Sequence, residues 1–376
     1  MKILTIGGAT TDTFVVCEEI SRLNFDSEHE KRSFLLFEEG HKVPVDDLNF
    51  QTGGGATNSA VSFARLGFEV STFFKVGNDH AAEFILKRLK ESGINTSHVI
   101  ESAHEITGSS FIIPCQGGDR VVLAYRGANA RIAKEEIPLE ALKNCENLYI
   151  TSLSGQSSHL LVSITRLAKE HGAFIANNPG TSQLAIGSYD IYEALPHIDI
   201  FILNSQEACT FMLSMIQQDI KLHQKILDAQ ATKIIKSKNL HSLPQLLQKP
   251  LSYQSVCFDI RLFFNEVLSR GPKIVVVTNG AEGVYVATHD EIIFHPSLPG
   301  HIENTLGAGD AFGSCFVAKC IQKESIKNAM LYGILNASSV ISHMGAKEGL
   351  LKTSELEQRF KDAPKNLFQS FEINQS

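Results

Sequence analysis

Asn147-Leu148-Tyr149-Ile150-Thr151-Ser152-Leu153 is followed by SHLLVSITRLAKEHG (residues 158–172), AFIANN (173–178) and IDIFILN (198–204). Strand-length apolar runs bracket a segment whose apolar residues recur at helical spacing, so the unit reads as strand, helix, strand, with the strands buried on both faces. The same alternation starts at KILTIGG (2–8) and runs through ATNSAVSFARLG (56–67), VSTFFKVG (70–77) and AAEFILKRLKESG (81–93). A chain that repeats this unit builds a doubly wound, mostly parallel sheet with helices on both faces, a three-layer α/β/α core.

Two regions break the rhythm. Residues 12–50 and 108–126 contain TDTFVVCEEI, SFLLFEEGHKVPV, SSFIIPC and RVVLAYRG, which are rich in β-branched and aromatic residues with no helix between neighbours. They read as antiparallel strands of a small β lid, leaving residues 1–11, 51–107 and 127–376 to the core. Residues 213–270 carry Lys221, Lys225, Lys233, Lys236 and Lys238, then Pro244 and Pro250. This stretch reads as an inserted helical excursion with a solvated, charged face.

Composition excludes several classes. Of the 376 residues 43% are hydrophobic and 20% charged, the proportions of a globular protein. The formal net charge of -7 argues against a general nucleic-acid binder, which needs a basic surface. No run reaches the roughly 18 apolar residues of a membrane helix, and MKILTIGG reads as a buried first strand rather than a signal peptide. The seven cysteines are scattered without a CxxC pair, the pattern of free thiols in a reducing cytoplasm.

The chemistry concentrates at turns between strands and helices. In Asn304-Thr305-Leu306-Gly307-Ala308-Gly309-Asp310-Ala311-Phe312-Gly313-Ser314, small residues precede an apolar helical run, so backbone N–H groups converge unobstructed at a helix amino terminus and form an anion site. Asp310 stands at that entrance, where a carboxylate takes a proton from a bound hydroxyl. Gly53-Gly54-Gly55-Ala56-Thr57-Asn58 lets the backbone approach a polyol, with Asn58 able to donate and accept toward its hydroxyls. Asp12, after Gly7-Gly8-Ala9-Thr10-Thr11, lies at the carboxyl end of the first strand and suits two vicinal hydroxyls; an ordinary turn aspartate is the equal alternative. Asn204-Ser205-Gln206-Glu207 places Glu207 to hold a water on Mg²⁺ and Asn204 to reach phosphate. Thr278-Asn279-Gly280-Ala281-Glu282-Gly283 is a turn that any hairpin could use, and equally a place where a threonine hydroxyl and glycine N–H groups can face a nucleotide's phosphates.

Taken in order, GGATTD, GGGATNSAV with ARLG, VGNDHAAEFILKRLKESGI, NSQE, TNGAEGVYV, NTLGAGDAF and ASSVISHMGA resemble the ribokinase-like, or PfkB, carbohydrate kinases over nearly the whole chain outside 213–270. The resemblance implies ATP as phosphate donor and Mg²⁺ as cofactor. It makes Asp310 the catalytic base and the Gly307, Ala308 and Gly309 backbone the anion hole. Asp12, Gly54 and Asn58 would bind the acceptor, Asn204 and Glu207 would organise phosphate and Mg²⁺, and Thr278, Gly280, Gly283 and Asn336 would contact the nucleotide. Where many relatives carry an aspartate that helps bind an activating monovalent cation, this chain has Asn304, which keeps an oxygen but loses the charge and leaves potassium dependence open. Leu306 replaces the more usual threonine. Arg126 reads as an exposed lid arginine. The acceptor is a sugar or, alternatively, a nucleoside such as adenosine or inosine, and a non-catalytic regulator that binds these ligands is the reading from another class. A homodimer through the lid is the expected assembly, without nucleic-acid or membrane partners.

Overall fold

The computed structural model describes residues 1–17, 20–26, 31–115, 120–219, 221–222, 224, 243–253 and 256–373. Its strands are β1 Lys2–Ile6, β2 Thr10–Val16, β3 Ser21–Asp26, β4 Lys31–Leu36, β5 Asp47–Gly53, β6 Glu69–Phe73, β7 Lys75–Gly77, β8 Ile100–Ser102, β9 Gly108–Pro114, β10 Arg120–Tyr125, β11 Asn147–Thr151, β12 Phe174–Asn178, β13 Ile200–Asn204, β14 Leu251–Tyr253, β15 Val256–Phe258, β16 Ile274–Thr278, β17 Val284–Ala287, β18 Glu291–His295 and β19 Gln369–Glu372. The longer helices are α1 Gly55–Arg65, α2 His80–Glu91, α3 Leu161–Glu170, α4 Thr181–Ala194, α5 Ser205–Gln218, α6 Ile260–Leu268, α7 Ala308–Ile321, α8 Ile326–Val340 and α9 Thr353–Asp362.

The main sheet has nine strands in the order β19-β18-β17-β16-β13-β12-β11-β1-β6. From β6 to β16 every neighbour is parallel, and β17, β18 and β19 close one side as an antiparallel meander. Because side chains alternate across a strand, each apolar run serves two cores. In β13, Phe201 and Leu203 enter a core built with α3, α4, α5 and α6, while Ile200 and Ile202 enter the one built with α1, α2, α7 and α8. The three-layer doubly wound architecture follows from that double burial.

The second sheet has the order β10-β9-β2-β5. Its outer pairs are antiparallel, but β2 and β9 pair in parallel, which corrects the expectation of antiparallel strands throughout. The physical reason is topological: β2 and β9 both leave the core, β5 and β10 both return, and the two outgoing strands are neighbours. Of the four passages between the sheets, three meet at Asn129, whose amide is clamped to Ala9 by Ala9 N–H to Oδ1 at 2.9 Å and Nδ2 to Ala9 O at 2.7 Å and adjoins Gly108, while the fourth, at Gly54, lies against Gly8 and Ala9. β3 and β4 form a separate hairpin, from Ser21 opposite Leu36 to Asp26 opposite Lys31.

Residues 243–268 correct the reading of 213–270 as a solvated excursion. Leu246, Leu247, Phe258, Ile260, Phe263, Phe264 and Val267 are buried in the same core as α5. The apolar residues of α6 recur at the period of a helix packed on a core, and the lysine-rich beginning of 213–270 drew the reading toward a solvated face. Lys225, Lys233, Lys236 and Lys238 lie outside the described residues. Among the described residues no helix is long and apolar enough to cross a membrane.

Candidate active site

α7 begins at Ala308 after Gly307, whose φ of 79° is left-handed, a conformation natural to glycine. A Cβ there would also stand 2.5 Å from the Ala346 Cβ, so glycine is required twice over. The apolar run from Ala311 to Ala318 buries α7 against the sheet, which fixes the amino terminus and leaves Asp310 on its first turn. Gly307, Gly309 and Asp310 line a cavity of about 280 Å³, and the space over Gly309 is open. First-turn N–H groups have no partner within their own helix, so this entrance can hold an anion.

Asp310 Oδ2 accepts a hydrogen bond from Asn58 Nδ2 at 2.8 Å. Asn58 is buried on α1, and its Oδ1 has no hydrogen-bond partner, an acceptor left for a hydroxyl. Burial pushes the Asp310 carboxyl above the usual carboxylate range; the Asn58 bond and the nearby Lys347 ammonium pull it down, and the charge of Asp12 adds to the rise.

Asp12 lies on β2, only 7% exposed, accepting from Thr10 Oγ1 at 2.9 Å. Burial raises its pKa against the hydrogen bonds of Thr10 and Ser110 and the charge of Lys347. Gly54 joins β5 to α1 at φ 93°, and a Cβ on it would stand 2.4 Å from Gly8 O. These expected acceptor groups therefore adjoin Asp310, with Asp12 and Asp310 in each other's field.

Asn204, Glu207 and Thr278 line the same cavity as Asp310. Asn204 caps α5 with its Oδ1 on Glu207 N–H at 2.8 Å, and Glu207 Oε2 returns to Asn204 N–H at 2.9 Å. Glu207 Oε1 takes only a 3.4 Å contact from Thr181 Oγ1. Burial raises the Glu207 pKa, and the charge of Asp310 contributes to the same rise. A carboxylate with lone pairs facing a phosphate-sized cavity fits a water-held Mg²⁺. Gly280 and Gly283 flank the turn between β16 and β17, with φ of 53° and 129°.

Asn336 is 1% exposed, with Nδ2 donating to Ala311 O at 2.9 Å and Oδ1 accepting from Leu351 N–H at 3.0 Å. Its amide bridges α7 to the chain beyond α8, and one N–H and one lone pair stay available beyond that bridge. Asn304 is similarly committed: Oδ1 accepts from Leu306 N–H at 2.9 Å and Nδ2 donates to Met344 O at 2.5 Å. The amide thus ties residue 304 to Leu306 and Met344 through one bond at each end.

Two cations were missed. Arg120, first residue of lid strand β10, lines the cavity and donates to Thr305 Oγ1 just ahead of the anion site. Lys347, one residue beyond the quoted ASSVISHMGA, sends its ammonium to Thr52 and Thr57. Lysine or arginine type was the only signal available for either. Arg126 is exposed.

The description pfkB family carbohydrate kinase matches residues 17–238 and 259–353. The chain is similar to a ribokinase of Staphylococcus aureus, 24% identical over 361 residues, covering 95% of this chain and 99% of that one. It is similar to a deoxyribokinase of Salmonella typhi, 25% identical over 311 residues, covering 82% and 87%. Among solved structures it shares the fold of the Arabidopsis thaliana ribokinase complexed with ribose and ATP, with a TM-score of 0.70, 17% identity and coverage of 96% and 98%.

Proposed function

Since the chain belongs to the pfkB carbohydrate kinase family, we propose that it transfers the γ-phosphate of ATP to a hydroxyl of a sugar, with Asp310 as catalytic base. The observation that carries this is the convergence of Asp310, the open amino terminus of α7, Glu207 and Arg120 on one cavity.

Asp12 and the unpartnered Asn58 Oδ1 hold the acceptor's hydroxyls. The hydroxyl to be phosphorylated loses its proton to an Asp310 oxygen, and the resulting alkoxide oxygen forms a bond to the γ-phosphorus as the bond to the β,γ-bridging oxygen breaks and ADP leaves. The N–H groups of Gly307, Ala308 and Gly309 stabilise the charge on the transferring group, and Arg120 adds positive charge from the lid. Thr278 and the turn Gly280–Gly283 face the polyphosphate. Mg²⁺, held through water by Glu207, would supply charge neutralisation of the phosphates. The commitment of the Asn304 amide supports activity without potassium.

The assembly is a homodimer through the lid, in the cytoplasm. Supporting it, Phe50, Thr13, Phe111 and Leu123 stand in one cross-strand row, with Phe50 65%, Phe111 49% and Leu123 58% exposed. A second copy is the surface that matches such a row, and sedimentation at micromolar concentration tests it, a monomer counting against the reading.

The test of function is ATP consumption with Mg²⁺ against pentoses, hexoses, sugar acids, sugar phosphates and nucleosides, with Asp310→Asn in parallel. Sugar-dependent turnover lost in the variant supports the proposal. Turnover with nucleosides alone points to a nucleoside kinase, and ATP binding without turnover to a regulator.

A further inference from the structure

The loop 344–348 touches both halves of the molecule that must meet for chemistry. On the core side, Met344 O accepts from Asn304, and Ala346 packs on the anion-site Gly307. On the lid side, Gly345 lies under the Gln51 side chain of β5, where a Cβ would stand 1.7 Å from Gln51 Oε1. Between these contacts Lys347 sends Nζ to Thr52 O at 2.6 Å, Thr52 Oγ1 at 2.9 Å and Thr57 Oγ1 at 2.8 Å. Thr57 Oγ1 in turn donates to Gly53 O at 2.7 Å.

The three protons of one ammonium are thus spent across the Gly53-Gly54-Gly55 turn. Thr52 is the last residue but one of lid strand β5; Thr57 lies in the first turn of core helix α1. The residue after Thr57 is Asn58, which holds Asp310. All three partners are neutral oxygens, so the charge of Lys347 is not cancelled by contact and acts on what surrounds it. Asp12 on β2, Glu348 on the same loop and Asp310 on α7 favour the ammonium; Arg88 on α2 opposes it. Arg65 on α1 and Glu91 on α2 line the outer cavity of about 460 Å³ on which Lys347 also borders. Arg65 is turned to Leu350 O, and Glu91 to Arg88 at 3.7 Å.

We propose that Lys347 is a positioning residue for the transfer reaction: it pins the lid hinge across Gly53-Gly54-Gly55, sets the Asn58–Asp310 pair through Thr57, and is the cation that lets Asp12 and Asp310 be ionised together. The inference rests on the kinase reading and adds a residue to it. Burial lowers the Lys347 pKa to about 7, against the upward pull of the three carboxylates. The ammonium is therefore present below that value and lost as pH rises through it, while Asp310 must be deprotonated, so the pH profile acquires an alkaline limb that belongs to Lys347.

The test compares wild type with Lys347→Met and Lys347→Arg. Lys347→Met is expected to lower kcat/KM for the acceptor by about tenfold to a hundredfold, the scale of a lost charged hydrogen-bond donor. KM for ATP should stay close to wild type, and the alkaline limb should vanish. Lys347→Arg, which keeps its charge, should recover part of the activity and move the limb upward by a unit or more. Hydrogen exchange of residues 52–58 reads the hinge without any substrate and should quicken in Lys347→Met. Wild-type kcat/KM and an unmoved alkaline limb in a folded Lys347→Met protein overturn the proposal; if that variant does not fold, an unmoved limb in Lys347→Arg does so. Should the wild type turn over no acceptor, the kinase reading fails, and unchanged exchange at 52–58 then overturns the hinge pin independently.

Discussion

The two groups of residues that flank Asp310, those proposed for the acceptor and those proposed for the nucleotide, are made of different material. On the acceptor side, side chains are tied together or to the hinge: Asn58 to Asp310, Lys347 to Thr52 and Thr57, Thr57 to Gly53. Burial there shifts Asp12 and Asp310 upward and Lys347 downward. On the nucleotide side, glycines supply backbone rather than side chains, and nothing stands within 4 Å of the space a Cβ would fill at Gly280 or Gly309. A neutral polyol brings no charge of its own, so the protein must set out fixed charges to meet it. A polyphosphate brings charge and needs room and N–H groups.

The sharpest way to break this contrast is Asp310→Asn. Turnover should fall by about 10²–10⁴-fold, the scale of a lost general base, while ATP binding measured by calorimetry stays intact. In the wild type, kcat/KM should decline on the acid side with a midpoint above the ordinary carboxylate range, because the raised pKa leaves Asp310 protonated at a higher pH. A midpoint near that of a free aspartate would show that the acceptor side is not desolvated. Next in size, Asp12→Asn should raise KM for the acceptor by about tenfold to a hundredfold, with KM for ATP unmoved.

The paired substitutions Gly54→Ala and Gly280→Ala test the contrast in stability. At Gly54 the left-handed φ and the approach to Gly8 O coincide, so melting should show a loss of about 1–3 kcal/mol or more. At Gly280 the space is open, and the loss should stay within about 1–2 kcal/mol, the cost of the left-handed backbone alone. The smallest effect concerns potassium: replacing sodium with potassium should leave wild-type kcat/KM unchanged. Asn304→Asp, which sets a carboxylate against Met344 O, should lower it, with potassium restoring part of the loss.

What the sequence made legible was what is local. Gly307 to Asp310, Asn204 with Glu207, and Asn58 after its glycines each place a functional group within one turn of a strand end, so pattern alone finds them. Lys347 meets Thr52 across 295 positions, and Arg120 meets Thr305 across 185, and neither has a flanking pattern to betray it. The scaffolding contacts of Asn336 are equally hidden. Its partners, Ala311 and Leu351, are 25 and 15 positions away, and no pattern around Asn336 announces them. The parallel pairing of β2 with β9 likewise depends on which strands become neighbours, which their composition does not encode.

The junction at Asn129 has a mechanical consequence. Ala9 leads into β2, Gly54 leads out of β5, Gly108 leads into β9, and Gly127 to Asn129 lead out of β10; Asn129 holds Ala9, while a Cβ on Gly108 would meet Asn129 Nδ2 and one on Gly54 would meet Gly8 O. Four crossings gathered in one neighbourhood have the geometry of an axle, and a rotation there would carry the second sheet as a lever. β2 has seven residues, so at about 3.3 Å per residue its far end lies roughly 20 Å from the axle. A turn of about 10° at the axle then carries that end by roughly 3–4 Å, a gearing in which small torsional changes at the junction move the whole outer edge of the sheet.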